Sequence, residues 1–209
     1  MSKNRKVIIL VVGSIILGGI LIWLLMGAAM LGFLYLSHES ATIDVHTDIT
    51  EYEKFMGENA YVEFRDKWGM DETIFPEKIT ADMQIEDYKM VYYNPWDAQY
   101  LSYLAVQYDA EDYEAERKRL KSYESTEYLG YYGAEGFDES YELVAMYADS
   151  YQGFVYALSN KVDTIIYVEI IFCNYFMDLN YKEYIKEEYL PVGFDATLNN
   201  PYEQDMMKK

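Results

Sequence analysis

Glu169 is the carboxyl whose sequence surroundings best suit acid–base chemistry. It lies in the apolar stretch TIIYVEIIFC, flanked on its own face of an extended chain by Tyr167 and Ile171. Apolar surroundings disfavour the charged form of a carboxylate, which is what a general acid requires. The alternative is a structural carboxyl at the edge of the core, hydrogen-bonded to a tyrosine hydroxyl. A glycosidase would need a second carboxylate nearby, and the sequence does not single one out.

Asp44, His46 and Asp48 alternate along the segment DVHTD. In an extended chain their side chains point the same way, and such oxygen and nitrogen ligands can hold a divalent cation. The alternative is a polar tether that follows the preceding apolar run. Because this spacing alone does not define a metal site, the sequence predicts neither a metal nor another cofactor.

The segment VYYNPWDAQYLSYLAVQY, residues 91–108, contains five tyrosines and one tryptophan. Flat aromatic rings beside polar groups are typical of surfaces that bind a peptide or a glycan. The residues that would form such a surface are Tyr92, Tyr93, Asn94, Trp96, Asp97, Tyr100 and Tyr103. Alternatively the tyrosines pack a sheet with their hydroxyls in water, and Trp96 folds back over a hairpin.

Familiar catalytic motifs are absent from the sequence. It has no G-x-S-x-G, no H-E-x-x-H and no phosphate-binding P-loop. Cys173 is the only cysteine, so no intrachain disulfide can form, and both histidines lie far upstream of it. These absences favour a non-catalytic role.

A long apolar run precedes the segments that carry these candidates. Residues 7–36 contain no charged side chain, and residues 1–6 carry three basic residues and no acid. About 20 apolar residues span a bilayer, and a basic flank favours the cytoplasmic side. The sequence therefore predicts an uncleaved signal anchor, with the N-terminus in the cytoplasm and the rest outside the cell membrane. A cleaved signal peptide is the alternative, but its apolar region is usually shorter.

The rest of the chain alternates between strand and helix patterns. After a polar segment at 37–49, which is either a short strand or a tether, residues 50–198 are predicted to form one domain, followed by a frayed tail at 199–209. Strands are expected at 83–93, 98–108, 141–148, 154–160 and 163–173, with helices at 51–56, 60–68, 109–123 and 181–189. This order predicts an α+β fold, in which an antiparallel sheet of about five strands has helices packed on one face.

The net negative charge of the chain argues against nucleic acid as a partner. The chain has 17 basic and 36 acidic residues and a net charge of −19, so it repels nucleic-acid phosphates. We expect a membrane-anchored interaction or ligand-binding module, of bacterial type, that binds a protein, a peptide or a glycan. The alternative is a cell-envelope hydrolase that uses Glu169 as its acid and the tyrosines as a substrate platform.

Overall fold

The chain divides into two compact units, Met1–Ala41 and Thr42–Lys209. The computed structural model describes residues 3–39 and 41–208, so that residues 1, 2, 40 and 209, which belong to the predicted basic flank, polar segment and tail, lie outside the described part. The second unit starts before position 50, where the sequence analysis places the start of the domain, because Ile43–His46 is already a strand of its sheet.

The first unit is a single helix, α1 (Lys3–Glu39). Its segment Ile15–Leu36 has 22 residues and is long and apolar enough to cross a membrane. At a rise of 1.5 Å per residue this segment extends about 33 Å, close to the thickness of a bilayer's hydrocarbon core. Large side chains such as Trp23 and Leu31 are exposed, as a lipid-facing helix requires.

Six strands form one antiparallel sheet in the second unit. The strands are β1 (Ile43–His46), β2 (Gln84–Tyr93), β3 (Gln99–Gln107), β4 (Glu142–Asp149), β5 (Gly153–Ser159) and β6 (Thr164–Ile171). The predicted α+β class is confirmed. The predicted strand count is wrong by one, because β1, within the predicted polar segment, pairs with β2 along its whole length.

The order of the strands across the sheet is β1-β2-β3-β6-β5-β4. After the hairpin of β2 and β3, the chain passes through helix α3 (Ala110–Lys121) to the outer strand β4 and returns through β5 to β6. Strand β6 therefore lies beside β3 in the middle of the sheet, and every residue of β6 is buried. This central position buries Glu169 completely.

Both faces of the sheet are covered, whereas the sequence predicts helices on one face. On the first face, the strands pack against the segment 49–79, which includes the short helix α2 (Tyr52–Phe55), and against Tyr113 and Leu120 of α3. On the second face they pack against residues 128–141 and 172–196. Apolar and tyrosine side chains alternate along β3 and fill both cores, so neither face is left for solvent.

Most of the covering chain on the second face is irregular. Where the sequence predicts a helix at 181–189, the chain forms two separate 3₁₀ turns, Tyr181–Glu183 and Glu187–Tyr189. In the predicted frayed tail, helix α4 (Pro201–Met206) begins with a reciprocal cap. The Asn200 side chain accepts a hydrogen bond from the Glu203 N–H, and the Glu203 carboxylate accepts one from the Asn199 N–H.

Candidate functional site

A left-handed turn lies in the covering segment on the first face, between α2 and β2. Lys67, Trp68 and Gly69 have φ angles of 37°, 63° and 75°. Glycine adopts this conformation freely, but a side chain there costs roughly 1 kcal/mol or more. The turn therefore needs strong contacts elsewhere to persist. The side chains of Lys67 and Trp68 both make such contacts. The Trp68 indole N–H donates to the Ala98 carbonyl at 2.7 Å.

The Lys67 side chain extends from this turn to the centre of the sheet. Its ammonium donates to both carboxylate oxygens of Glu169, at 2.9 and 3.0 Å, and neither side chain has any exposed surface. Burial alone would lower the pKa of Lys67, but Glu169 and Glu72 outweigh it, and the pKa is raised. Lys67 is therefore a fully buried cation, 5.6 Å from the centre of the Tyr100 ring.

Glu72 is a second carboxyl on the same cation. The Lys67 ammonium also donates to Glu72, whose side chain keeps 16% of its surface exposed. Burial raises the pKa of Glu72, Lys67 lowers it and the neighbouring Glu169 carboxylate raises it again, which leaves a pKa of about 8. One cation thus serves two carboxyl groups, and Glu72 carries a proton at neutral pH. The buried Ser102 hydroxyl, on the strand residue opposite Glu169, has no hydrogen-bond partner.

The exposed part of Glu72 faces an open cleft. This opening, the Glu72 cleft, has a volume of about 790 Å³. Its lining includes three buried apolar side chains, four acidic ones and two arginines: Met56, Met70, Phe75; Glu58, Asp71, Glu72, Glu77; Arg65, Arg119. Apolar walls with a few polar groups are typical of small-ligand sites, and the volume is in their usual range.

Hydrogen bonds within the protein hold the polar walls of the cleft. Arg119 donates to the carbonyl oxygens of Thr73 and Ile74 and pairs with Glu116. Burial would raise the pKa of Asp71, but hydrogen bonds from the backbone and hydroxyl of Thr73 and from the Tyr123 hydroxyl outweigh it, and the pKa is lowered. The cleft therefore has an ionised Asp71 next in sequence to a protonated Glu72.

Glu169, the predicted acid, does not reach this cleft. Its side chain is fully buried on β6 and is held by Lys67, so of the two carboxyls bonded to Lys67 only Glu72 is accessible to a ligand. Neither Lys67 nor Glu72 is predicted from the sequence, since Lys67 lies 102 residues from Glu169. The only local signal is a lysine beside Trp68 and Gly69 in a segment otherwise predicted to be helical.

The predicted aromatic surface is divided between the two faces of the sheet. Tyr92 and Tyr100 pack in the core of the first face, and Tyr93 and Tyr103 pack in that of the second. Of the aromatic residues in the set, Trp96 is 51% exposed and projects at the hairpin tip. Beside it, Asn94 donates to the Tyr92 hydroxyl, and Asp97 accepts from Asn174. The structure thus does not bring the seven residues together on one surface.

Two of the three predicted metal-ligand candidates, His46 and Asp48, have other partners. Asp44 and His46 line a small cleft of about 290 Å³, where the His46 Nδ1 lies 3.5 Å from a Glu51 oxygen. The Asp48 carboxylate instead accepts hydrogen bonds from the backbone and hydroxyl of Thr50. Within residues 3–39 and 41–208, no group of three or more His, Cys, Asp or Glu side chains is arranged to hold a metal ion.

Comparison with known proteins does not assign this chain to a family. No protein-family model, no curated protein and no solved structure matches this chain. Its function is therefore inferred from the geometry of the chain itself.

Removal of the buried cation should destabilise the domain severely. We expect Lys67→Met to lower the free energy of unfolding by about 3–5 kcal/mol, because Glu169 is left buried and unpaired. The double variant Lys67→Met/Glu169→Leu should recover most of the loss. Equilibrium unfolding in urea measures both values, and a single variant within about 1 kcal/mol of wild type would show that the pair contributes little.

Glu72 should make stability fall as the pH rises from about 4.5 to about 8. Its folded-state pKa of about 8 lies above the ordinary 4.5, so the folded protein binds more protons than the unfolded chain between these values. Stability contributed by Glu72 is complete below pH 4.5 and is lost as pH rises through 8, with a limiting slope of about 1.4 kcal/mol per pH unit. Unfolding of wild type and Glu72→Gln from pH 5 to 9 should show this slope only in wild type. Parallel curves would contradict the assignment.

Proposed function

We propose that this chain is a single-pass membrane protein whose second unit binds a ligand outside the cell. The segment Ile15–Leu36, long and apolar enough to span a bilayer, supports the anchor. The basic residues of the flank 1–6 support a cytoplasmic N-terminus under the positive-inside rule. The acidic second unit, stabilised by two aromatic cores without a disulfide, is compatible with the outer surface of a bacterial cell.

The Glu72 cleft is the observation that supports a binding function. It combines an apolar wall with a carboxyl that the buried Lys67–Glu169 pair holds in place. A strained backbone turn supplies the lysine of this pair, and such strain concentrates at functional sites. We therefore place the ligand of the proposed binding module in this cleft.

Two other surfaces compete with the Glu72 cleft. The hairpin tip retains Asn94, Trp96 and Asp97 of the predicted aromatic surface, but none of these three residues lines the Glu72 cleft or the small cleft at Asp44 and His46. A second cleft of about 830 Å³, the Pro191 cleft, is lined mainly by residues 187–197. It has no buried charged pair among its lining residues, so nothing there organises a polar contact as Lys67 organises Glu72.

A hydrolase remains the second candidate, now with Glu72 in place of Glu169. The observation in its favour is the opposite shift of two neighbouring carboxyls in one cleft: the pKa of Asp71 is lowered, and that of Glu72 is raised to about 8. Such a pair can divide the roles of base and acid. Its substrate would be a glycan or a peptide of the cell envelope.

Tryptophan substitutions at matched threonines test where the ligand binds. Thr73 in the Glu72 cleft, Thr197 in the Pro191 cleft and Thr50 elsewhere on the surface are exposed, and each bonds the aspartate two residues before it. We expect Thr73→Trp to fill the Glu72 cleft and to weaken ligand binding at least about 10-fold, roughly 1.4 kcal/mol. Ligand-observed NMR with a library of peptides and glycan fragments provides the measurement.

Thr197→Trp and Thr50→Trp provide the controls for this experiment, since all three variants introduce the same side chain at the same kind of turn. Ligands that lose binding only in Thr197→Trp would show that the binding site is the Pro191 cleft. Hits unaffected by all three variants would indicate the hairpin tip, and the same screen would then be repeated with Trp96→Ala.

The hydrolase alternative is tested by turnover. We expect the purified full chain to leave cell-wall glycans and peptides intact, as a binding module would. Product formation that Glu72→Gln reduces at least about 100-fold, the usual contribution of a general acid, while Glu77→Gln retains it, would establish hydrolysis in the same cleft. Chromatography of the digests distinguishes these results.

A further inference from the structure

Carboxyl groups predominate over available cations at the Glu72 cleft. Glu58 and Glu77 are exposed there, and Asp71 is ionised. Arg119 is neutralised by Glu116 and donates its other N–H groups to backbone carbonyls. The cleft therefore attracts positive charge, and a ligand cation would find unpaired carboxylates rather than arginines.

Arg65 does not reverse this balance. Its Nε donates to the Ala60 carbonyl at 2.7 Å, and its single charge faces three exposed or ionised carboxylates. Lys67 has no exposed surface, so it offers nothing to an anionic ligand in the cleft. An anion would therefore meet net repulsion, because Arg65 is outnumbered by these carboxylates.

The apolar wall of the cleft favours a ligand that has an apolar part in addition to its positive charge. Met56, Met70 and Phe75 line the cleft next to Glu72, and methionine side chains adapt to the shape of an apolar partner. A small hydrated metal ion would leave this wall uncovered. A cation on an apolar stem would cover it while its charge reaches the carboxyl groups.

Glu72 links the cleft to the buried charges. On its inner side it faces the Lys67 ammonium and the Glu169 carboxylate, and Tyr52 and Tyr100 lie close enough to feel its charge. On its outer side it faces the cleft carboxylates of Glu58, Asp71 and Glu77 and the guanidinium groups of Arg65 and Arg119. Lys67 and Glu169 neutralise each other, so the cluster of these two residues and Glu72 is neutral while Glu72 holds a proton. When Glu72 loses its proton, the cluster carries one negative charge that a further cation would balance.

We infer that the Glu72 cleft binds an organic ammonium cation on an apolar stem, such as a lysine side chain of a peptide, and that this cation displaces the proton of Glu72. The proton passes to solvent, and no covalent bond changes. This inference rests on the proposed binding function of the same cleft. It adds the class of ligand and a dependence of affinity on pH.

The exchange has a defined pH signature. A lysine ammonium keeps its charge up to about pH 10, so the ligand itself loses no proton in the range in which Glu72 titrates. The association constant should rise about 10-fold per pH unit between pH 6 and 7.5 and level off above pH 8. One proton should be released for each ligand bound at pH 6.5.

Calorimetry of the full chain in nanodiscs of zwitterionic lipid tests this signature. The probe is an end-capped Phe-Lys dipeptide, and the matched neutral probe has norleucine in place of lysine. Titrations in two buffers of different ionisation enthalpy count the released protons in wild type itself, so the measurement does not depend on a variant that folds. We expect binding of the lysine probe with release of one proton, and at least 10-fold weaker binding of the norleucine probe.

Three substitutions separate the role of Glu72 from general electrostatic attraction. Glu72→Gln should abolish proton release and the pH slope, whereas Glu77→Gln, in the same cleft, should keep the slope. Glu187→Gln, in the Pro191 cleft, carries the same change in net charge as Glu77→Gln and should keep both affinity and slope. Circular dichroism verifies that each variant is folded.

Equal binding of both probes, or lysine binding without proton release, would overturn the ammonium inference. The proposed function would still stand if Thr73→Trp weakened that binding. If no member of the peptide and glycan library loses binding in Thr73→Trp, the cleft itself is not the ligand site, and both proposals fail.

Discussion

The buried ion pair of Lys67 and Glu169 is the interaction on which the first face of the domain depends. It joins an irregular covering segment to the central strand β6 across 102 residues of sequence. Two buried charges cost several kcal/mol each to desolvate, and the pair persists only because each satisfies the other. The left-handed turn at Lys67 and Trp68 is held by the same contact. The second carboxyl, Glu72, then has no cation of its own. Its protonated form is favoured for that reason, and its pKa is raised.

The tyrosine excess has a structural explanation that does not require an aromatic recognition surface. Irregular covering segments leave backbone carbonyls without partners, and a buried tyrosine fills the core while its hydroxyl satisfies one of them. Tyr100 donates to the Glu63 carbonyl on the first face, and Tyr156 donates to the Tyr189 carbonyl on the second. A phenylalanine would bury similar area but would leave these carbonyls unsatisfied. Tyrosine thus holds 3₁₀ turns and loops against both faces where regular helices would bond internally.

Much of the fold could be predicted from the sequence because its signals are local. The strand pattern along 98–108 predicts β3, and Asp109 caps α3 as its position indicates. The site could not be predicted, because Lys67 and Glu169 meet only through the strand order, which no local pattern contains. The polar spacing that suggests metal ligands at 44–48 belongs instead to an edge strand and a capped turn.

The residues around the Glu72 cleft depart most clearly from the usual preferences of their types for backbone conformation, burial and protonation. A lysine and a tryptophan adopt backbone angles suited to glycine, a lysine is fully buried, and a carboxyl keeps its proton at neutral pH. Each feature costs stability that an apolar residue in an ordinary turn would not, and such costs usually persist where a function requires them. The Lys67–Glu169 pair alone would fix the covering segment without Glu72. The third group, Glu72, therefore adds nothing that packing needs, and its exposed edge lies in an open cleft.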